Sequence, residues 1–270
     1  MNLIGGACGT LRRPARYNVG MAVTTPGFTK GQVNRAGALW AEFFEAIRME
    51  RTGEWIEDQS VPAIENAVEI IEWWRLEHAY PLRMASANLR HYAPPTSDGR
   101  VPVTQRLKRF GTIVDKLLRE PTMKLSQMGD VGGVRAQFPD QDAVYQAARK
   151  LRKNWEITKT KDYAAEPKSS GYRAVHLVAR KKGRLVEIQL RTPYQDLWAN
   201  IVEDDSRRLR IGYKSGVGEQ AVHDYYVAMS ELFALRDRGE EPDRDFIDRL
   251  HELQTHANAY LHRQPDQPRR

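Results

Sequence analysis

Apolar residues recur along this chain with two periods. Val33, Ala36, Trp40, Phe43, Phe44 and Ile47 return every three or four positions and predict an amphipathic helix over 31–50. Gly53 marks its stop. Ile64, Val68, Ile71 and Trp74 predict a second helix from Pro62 to Tyr80, with Ser60 as its cap and Pro81 as its break. A third helical piece follows over Leu82–Tyr92. Residues 93–102, rich in Pro and Gly, read as a linker. Thr104 then caps a helix to Arg119, with Leu107, Phe110, Ile113, Val114 and Leu117 on one face.

From there the period changes to two. Val134, Ala136 and Phe138 alternate with Arg135 and Gln137, a half-buried strand. Asp140 or Asp142 caps a helix to Lys153, and Trp155–Thr160 is a second strand. Tyr172, Ala174, His176 and Val178 share one face of a third strand. Val186, Ile188 and Leu190 share one face of a fourth, opposite Leu185, Glu187, Gln189 and Arg191. Lys181-Lys182-Gly183 joins these two as a hairpin. After Thr192-Pro193 a helix runs to Asp204 with Leu197, Trp198 and Ile201 inward. A basic loop follows, holding Arg207, Arg208, Arg210 and Lys214. Helices over 218–238 and 243–262 close the pattern. The outcome is an α/β (α+β) chain: strands with helices between them, and helical extensions at both ends.

Composition narrows the class. A chain of 270 residues buries a core without disulfides, and Cys8 is its one cysteine. No apolar run reaches the roughly 20 residues of a membrane helix. The expectation is a soluble, cytoplasmic protein, with no membrane partner and residues 1–29 disordered. Met21 is an alternative start. The net charge is +7, but between Thr104 and Gly216 there are 24 Lys and Arg against 13 Asp and Glu, a local +11. That points to a polyanionic partner, nucleotide or nucleic acid, with a solvated basic surface as the plain alternative.

The stretch 161–191 carries the candidate chemistry. It holds a Pro-Lys-Ser-Ser-Gly turn and then Tyr, His, Glu, Gln and Arg on polar strand faces. Two readings are open: a hairpin with a solvent-facing polar side, or the floor of a phosphate-handling site. Asp130 beside glycines and Glu187 in its strand are placed to meet and share a hard cation such as Mg²⁺, which takes carboxylate oxygens and keeps waters for phosphates. Lys108, Thr112 and Lys116, with Arg109 beside them, form a stripe that either holds a polyphosphate or is the wet side of a helix. The chain lacks a Gly-x-x-x-x-Gly-Lys-Ser/Thr loop, and its seven His are too scattered for a zinc site.

The series Arg106-Leu-Lys108 with Thr112 and Lys116, Asp130-x-x-Gly133-x-Arg135, Tyr163 through Pro167-Lys168-x-x-Gly171-Tyr172-Arg173-x-x-His176, and Glu187-Ile-Gln189-Leu-Arg191-Thr192 resembles the synthetase domain of RelA/SpoT-type alarmone synthetases. The resemblance implies a mixed, five-stranded sheet flanked by helices. It also implies transfer of the β,γ-pyrophosphate of ATP to a ribose 3′-hydroxyl. Carried over, Asp130 and Glu187 hold Mg²⁺ and are catalytic, with Glu187 helping to deprotonate the acceptor. Arg106, with Arg109 and Arg135, belongs to the adenine and ATP side; Lys108, Thr112 and Lys116 bind phosphates. Tyr172 stacks on the acceptor base, and Lys168, His176, Gln189 and Arg191 orient the acceptor. Three departures stand out: Thr112 where Ser is usual, Ser-Ser-Gly after Lys168, and Arg210-Ile-Gly-Tyr213-Lys214 without the usual His-Trp.

The domain plan implied is a helical extension over 30–103, a pyrophosphokinase core over 104–216, C-terminal helices over 217–262 and a frayed tail over 263–270. No hydrolase domain fits before Thr104. The wording of the Pro167–His176 motif is most similar to the toxic small alarmone synthetases of toxin–antitoxin and phage-borne systems. That subgroup implies a tRNA 3′-adenosine as acceptor, inhibition of translation, and an antitoxin partner. Arg149, Lys150, Arg152, Lys153, Arg207 and Arg208 are the candidate tRNA contacts. Synthesis of (p)ppGpp or (p)ppApp from free nucleotides, and a non-catalytic RNA-binding module, are the alternatives.

Overall fold

The computed structural model describes residues 27–49, 61–92 and 102–262. The expectations for 1–26, the stop at Gly53, the Ser60 cap, the linker over 93–101 and the tail over 263–270 lie outside these residues. The described residues form two compact units: 27–49, 61–76 and 109–128 in one, and 77–92, 102–108 and 129–262 in the other.

The first unit is helical. Helix α1 (Lys30–Arg48) starts at a capping box in which Thr29 and Gln32 satisfy each other's backbone N–H. It packs with α2 (Val61–Leu76) through Val33, Ala36, Trp40, Ile64, Ala67 and Ile71. Phe44 and Ile47, expected inside, are 37% and 45% exposed, because the apolar stripe of α1 is wider than the surface that covers it. The break expected at Pro81 comes earlier. Helix α3 begins at Ala79, so Pro81 sits in its first turn, where the missing N–H costs nothing.

The second unit is built on a five-stranded mixed sheet. Helix α3 (Ala79–Tyr92) is followed by β1 (Val103–Leu107), where the apolar spacing predicts the start of a helix. Thr104 is therefore no cap. Residues 103–107 pair antiparallel with β2 (Gly132–Gln137), and helix α4 (Phe110–Arg119) of the first unit starts only after Arg109. Val103 and Thr104 are β-branched, and a strand partner outweighs helical spacing. Lys108 consequently lies ahead of the helix and does not belong to its stripe.

Helix α5 (Gln141–Asn154), capped by Asp140, leads to β3 (Glu156–Asp162); β4 (Val175–Lys181) and β5 (Arg184–Arg191) form the predicted hairpin. Its two-residue turn, Lys182-Gly183, has φ of 51° and 73°, the left-handed pair that matches the twist of the flanking strands. The strand order is β1-β2-β5-β4-β3, with β2 and β5 parallel and the other pairs antiparallel.

Because partners across a sheet share a face, the register fixes its two sides. Val134, Ala136, Leu177, Ala179, Val186, Ile188 and Leu190 pack under α3 and α5 in one apolar core. A second core gathers Tyr172, Trp198, Val202, Tyr213 and Tyr226 with α6 (Pro193–Leu209), α7 (Gln220–Asp237) and α8 (Arg244–Leu261). Helix α6 starts at the Thr192–Gln195 capping box with Pro193 in its first turn. It continues to Leu209, so Arg207 and Arg208 close a helix and only Arg210 begins the loop. Leu197, expected inward, is 46% exposed; Gln195 and Asp196 are buried in its stead.

Candidate active site

The sheet face away from the α3/α5 core carries a grid of polar side chains. Reading across β1, β2, β5, β4 and β3, one row is Arg106, Gly133, Glu187, Val178 and Lys159. The next is Thr104, Arg135, Gln189, His176 and Lys161. Glu187 is thus central, with cationic positions towards both edges. A cleft of about 410 Å³ opens over the β1–β2–β5 part of this face. Its floor is Arg106, Asp130, Gly133, Arg135, Glu187 and Gln189; its wall is Asn200, Glu203, Asp204 and Arg207 of α6.

Asp130 sits in the turn before β2, and Lys108 donates to its Oδ2 at 2.9 Å. The Lys108 backbone N–H also bonds the Val131 carbonyl at 2.8 Å, so the chain leaving β1 is tied to the turn that holds Asp130. Glu187 Oε1 accepts from His176 Nδ1 at 3.1 Å and Oε2 from Gln189 Nε2 at 2.8 Å. Burial and Asp130 push the Glu187 carboxyl up. The hydrogen bonds from His176 and from the amide of Gln189 outweigh them and hold it below the ordinary carboxylate range.

Not every predicted residue reaches the cleft. Tyr172 is 2% exposed, and Arg191 is completely buried. They were expected on the acceptor, yet they lie behind Glu187. Arg191 donates to the Tyr172 hydroxyl at 2.8 Å, and that hydroxyl meets His176 Nε2 at 2.6 Å. Burial raises the Tyr172 pKa, so the hydroxyl stays protonated. Lys168, Lys214 and Arg191 place cations 5.2 to 5.4 Å from its ring centre. Lys168 is exposed, with its ammonium 4.8 Å from the ring centre of the half-buried Tyr163.

Arg109, Thr112 and Lys116 belong to the first unit, at the cap and on the body of α4. The Thr112 hydroxyl donates to the Arg109 carbonyl at 2.8 Å. Of the candidate tRNA contacts, Arg207 lines the cleft. Arg208 is tied to Asp205 and to the Leu261 carbonyl. Arg149, Lys150, Arg152 and Lys153 are exposed on α5, the helix covering the opposite face of the sheet. Asn200, Glu203, Asp204 and Arg207 recur at i, i+3, i+4 and i+7 of one helix. That polar stripe is legible at helical spacing, beside the apolar positions Leu197, Trp198 and Ile201 of the same helix.

Among the described residues no three His, Cys, Asp or Glu gather to hold a metal. Asp130 and Glu187 on one cleft floor nonetheless fit Mg²⁺, which binds through one or two carboxylates and completes its shell with water and phosphate oxygens. Among the same residues, no helix is long and apolar enough to cross a membrane.

Residues 105–214 match the family described as a region found in RelA / SpoT proteins. The GTP pyrophosphokinase YjbM of Bacillus subtilis is 36% identical over 111 residues, which are 37% of this chain and 53% of YjbM. The chain thus spans about half the length of that relative. The GTP pyrophosphokinase YwaC of the same organism is 27% identical over 171 residues, covering 53% of this chain and 80% of YwaC. The crystal structure of B. subtilis small alarmone synthetase 1, bound to its product pppGpp, superposes with a TM-score of 0.50 at 25% identity over 62% of this chain and 94% of that one. The segment 105–214, which carries Glu187 on its sheet and Asp130 in the turn before β2, is similar to a region found in RelA / SpoT proteins and has a fold shared with the small alarmone synthetases.

Proposed function

We propose that the protein is a pyrophosphokinase that moves the β,γ-pyrophosphate of ATP to a ribose 3′-hydroxyl. The observation that carries this is an ionised, hydrogen-bonded Glu187 at the centre of a basic sheet face, sharing its cleft with Asp130. The acceptor 3′-oxygen attacks the β-phosphorus, the bond to the α,β-bridging oxygen breaks, and AMP leaves. Glu187 accepts the hydrogen bond of the attacking hydroxyl and takes its proton as the bond forms. Arg106 and Arg135 stabilise charge on the transferring group, and Lys108 holds Asp130 in place. Asp130 and Glu187 would hold Mg²⁺, which supplies charge neutralisation at the phosphates. Gln189 and Lys168 orient the acceptor, and His176 holds Glu187.

For the acceptor we propose the 3′-terminal adenosine of tRNA, with inhibition of translation and growth as the consequence and an antitoxin as a partner. The local +11 charge over 104–216 supports it, since it exceeds what a free nucleotide requires, and Arg207 brings part of that charge to the cleft. A guanosine nucleotide is the second reading, favoured by the GTP pyrophosphokinases YjbM and YwaC. Incubation with γ-labelled ATP and Mg²⁺, with deacylated tRNA or with GDP, GTP and ADP, separates them. Label at the tRNA 3′ end supports the first reading. Label confined to nucleotide products supports the second, and no label anywhere removes both.

A further inference from the structure

The hydrogen bonds behind Glu187 have a fixed direction. A guanidinium only donates, and that of Arg191 has its Nη2 on two acceptors: the Tyr172 hydroxyl at 2.8 Å and Gln189 Oε1 at 3.1 Å. With the Arg191 bond taken up by its oxygen, the Tyr172 hydroxyl has its proton left to give, and the acceptor in reach is His176 Nε2, 2.6 Å away. His176 must then carry its proton on Nδ1, which faces Glu187 Oε1 at 3.1 Å. Gln189, its oxygen engaged by Arg191, turns its amide to Glu187 Oε2 at 2.8 Å. Two paths leave one cation and end on the two oxygens of one carboxylate.

Asp196 fixes where these paths begin. It is buried in the first turn of α6 and does not line the cleft. Its Oδ1 accepts from Arg191 Nη1 at 2.8 Å, with Arg135 Nη1 at 3.4 Å; its Oδ2 accepts from Gln137 at 2.6 Å and Asn200 at 3.1 Å. One carboxylate therefore sets the arginine behind the cleft and steadies Arg135 and Asn200 on its lining.

We propose that Asp196 is a positioning residue for Glu187, acting through Arg191. It orients the guanidinium, the guanidinium sets the His176 tautomer and the Gln189 amide, and these turn the remaining Glu187 lone pairs to the cleft. The activity arm of its test rests on the pyrophosphokinase reading; the spectroscopic arm does not.

Nitrogen-15 NMR of the labelled full chain reads the His176 tautomer directly, with its signal assigned by its loss in His176→Gln. The wild type should carry the proton on Nδ1, and Asp196→Asn should populate the Nε2–H form. A wild-type proton on Nε2, or an unchanged signal in folded Asp196→Asn, overturns the proposal. Should that variant not fold, Asp196→Glu, which keeps the charge and shifts its reach, is read in the same way, and an unchanged His176 signal in it overturns the proposal. In the labelled-ATP assay, Asp196→Asn should lower kcat on the order of 10- to 100-fold with the ATP KM within about twofold. A change confined to KM overturns the proposal. An inactive wild type removes the pyrophosphokinase reading and leaves the tautomer to judge Asp196.

Discussion

Gly133 and Glu187 sit directly opposite each other on the parallel strands β2 and β5, and both open on the cleft. A Cβ built on Gly133 would meet nothing within 4 Å. The glycine keeps clear the space in front of the carboxylate. Gly133→Val should leave stability unchanged or raise it by about 0.5–1 kcal/mol, since a glycine inside a strand costs that much. Transfer should fall about 100-fold, as displaced substrates lose alignment. Thermal unfolding and the labelled-ATP assay measure the two sides; a stable, fully active variant would show that substrate does not pass this point.

Gly171 ends the Lys168 turn with φ +88°, and an added Cβ would lie 3.1 Å from the Ser230 Cβ and the Tyr226 carbonyl. Backbone strain and contact act together there. Gly171→Ala should cost about 1–3 kcal/mol, read as a fall in the urea midpoint.

Tyr172 is the sharpest test of which side of Glu187 the ring serves. Tyr172→Ala should destabilise the protein by about 3–5 kcal/mol, the cost of emptying a buried aromatic site. Tyr172→Phe keeps the ring but leaves Arg191 and His176 short of a partner, at about 1–3 kcal/mol. Transfer should drop in Tyr172→Phe as well. Full activity in that variant would return the ring to a stacking role on the acceptor.

Alkaline pH should find Tyr213. Burial and Glu219, which accepts from its hydroxyl at 3.1 Å, push it up to about 12 from an ordinary value near 10. The folded pKa lies above the unfolded one, so its stabilisation is complete below pH 10 and is lost as pH rises towards 12. Denaturation midpoints measured between pH 9 and 12 should fall, and Tyr213→Phe should flatten that fall.

Asp237 works in the same sense, but in the acid range. Burial raises its carboxyl pKa, and it sits in the last turn of α7, at the negative end of the helix; the bond from the Thr192 hydroxyl at 2.6 Å offsets only part of this. Its charge opposes folding at neutral pH; that penalty fades as pH falls through the raised folded pKa and is gone below the ordinary carboxylate value. Asp237→Asn should gain about 0.3–1 kcal/mol at pH 7 and little at pH 3, compared by thermal unfolding.

Much of this was legible in the chain. The alternation through 134–138, 172–179 and 185–191 pointed to three strands that lie at the centre of the sheet, because one face of each is buried; the second of these, β4, starts only at Val175. The motifs around Asp130 and Glu187 pointed to the cleft, and Thr192-Pro193 announced α6. β1 is not legible in this way, because Leu107, Phe110, Val114 and Leu117 also fit a helix and only pairing with β2 makes it a strand. Such pairing is non-local and leaves no mark on local spacing.

By itself the sequence determined the inventory: a mixed α/β chain, a basic central segment, two carboxylates and the polar residues around them, each set by local periodicity and motif order. Tertiary structure decided their ranks. Tyr172 and Arg191 look like ligand contacts in the motif, yet packing buries them behind Glu187, and Asp196, which no motif singles out, anchors them. The reason is that burial and hydrogen-bond direction depend on which strand and helix lie alongside, and those neighbours come from distant parts of the chain.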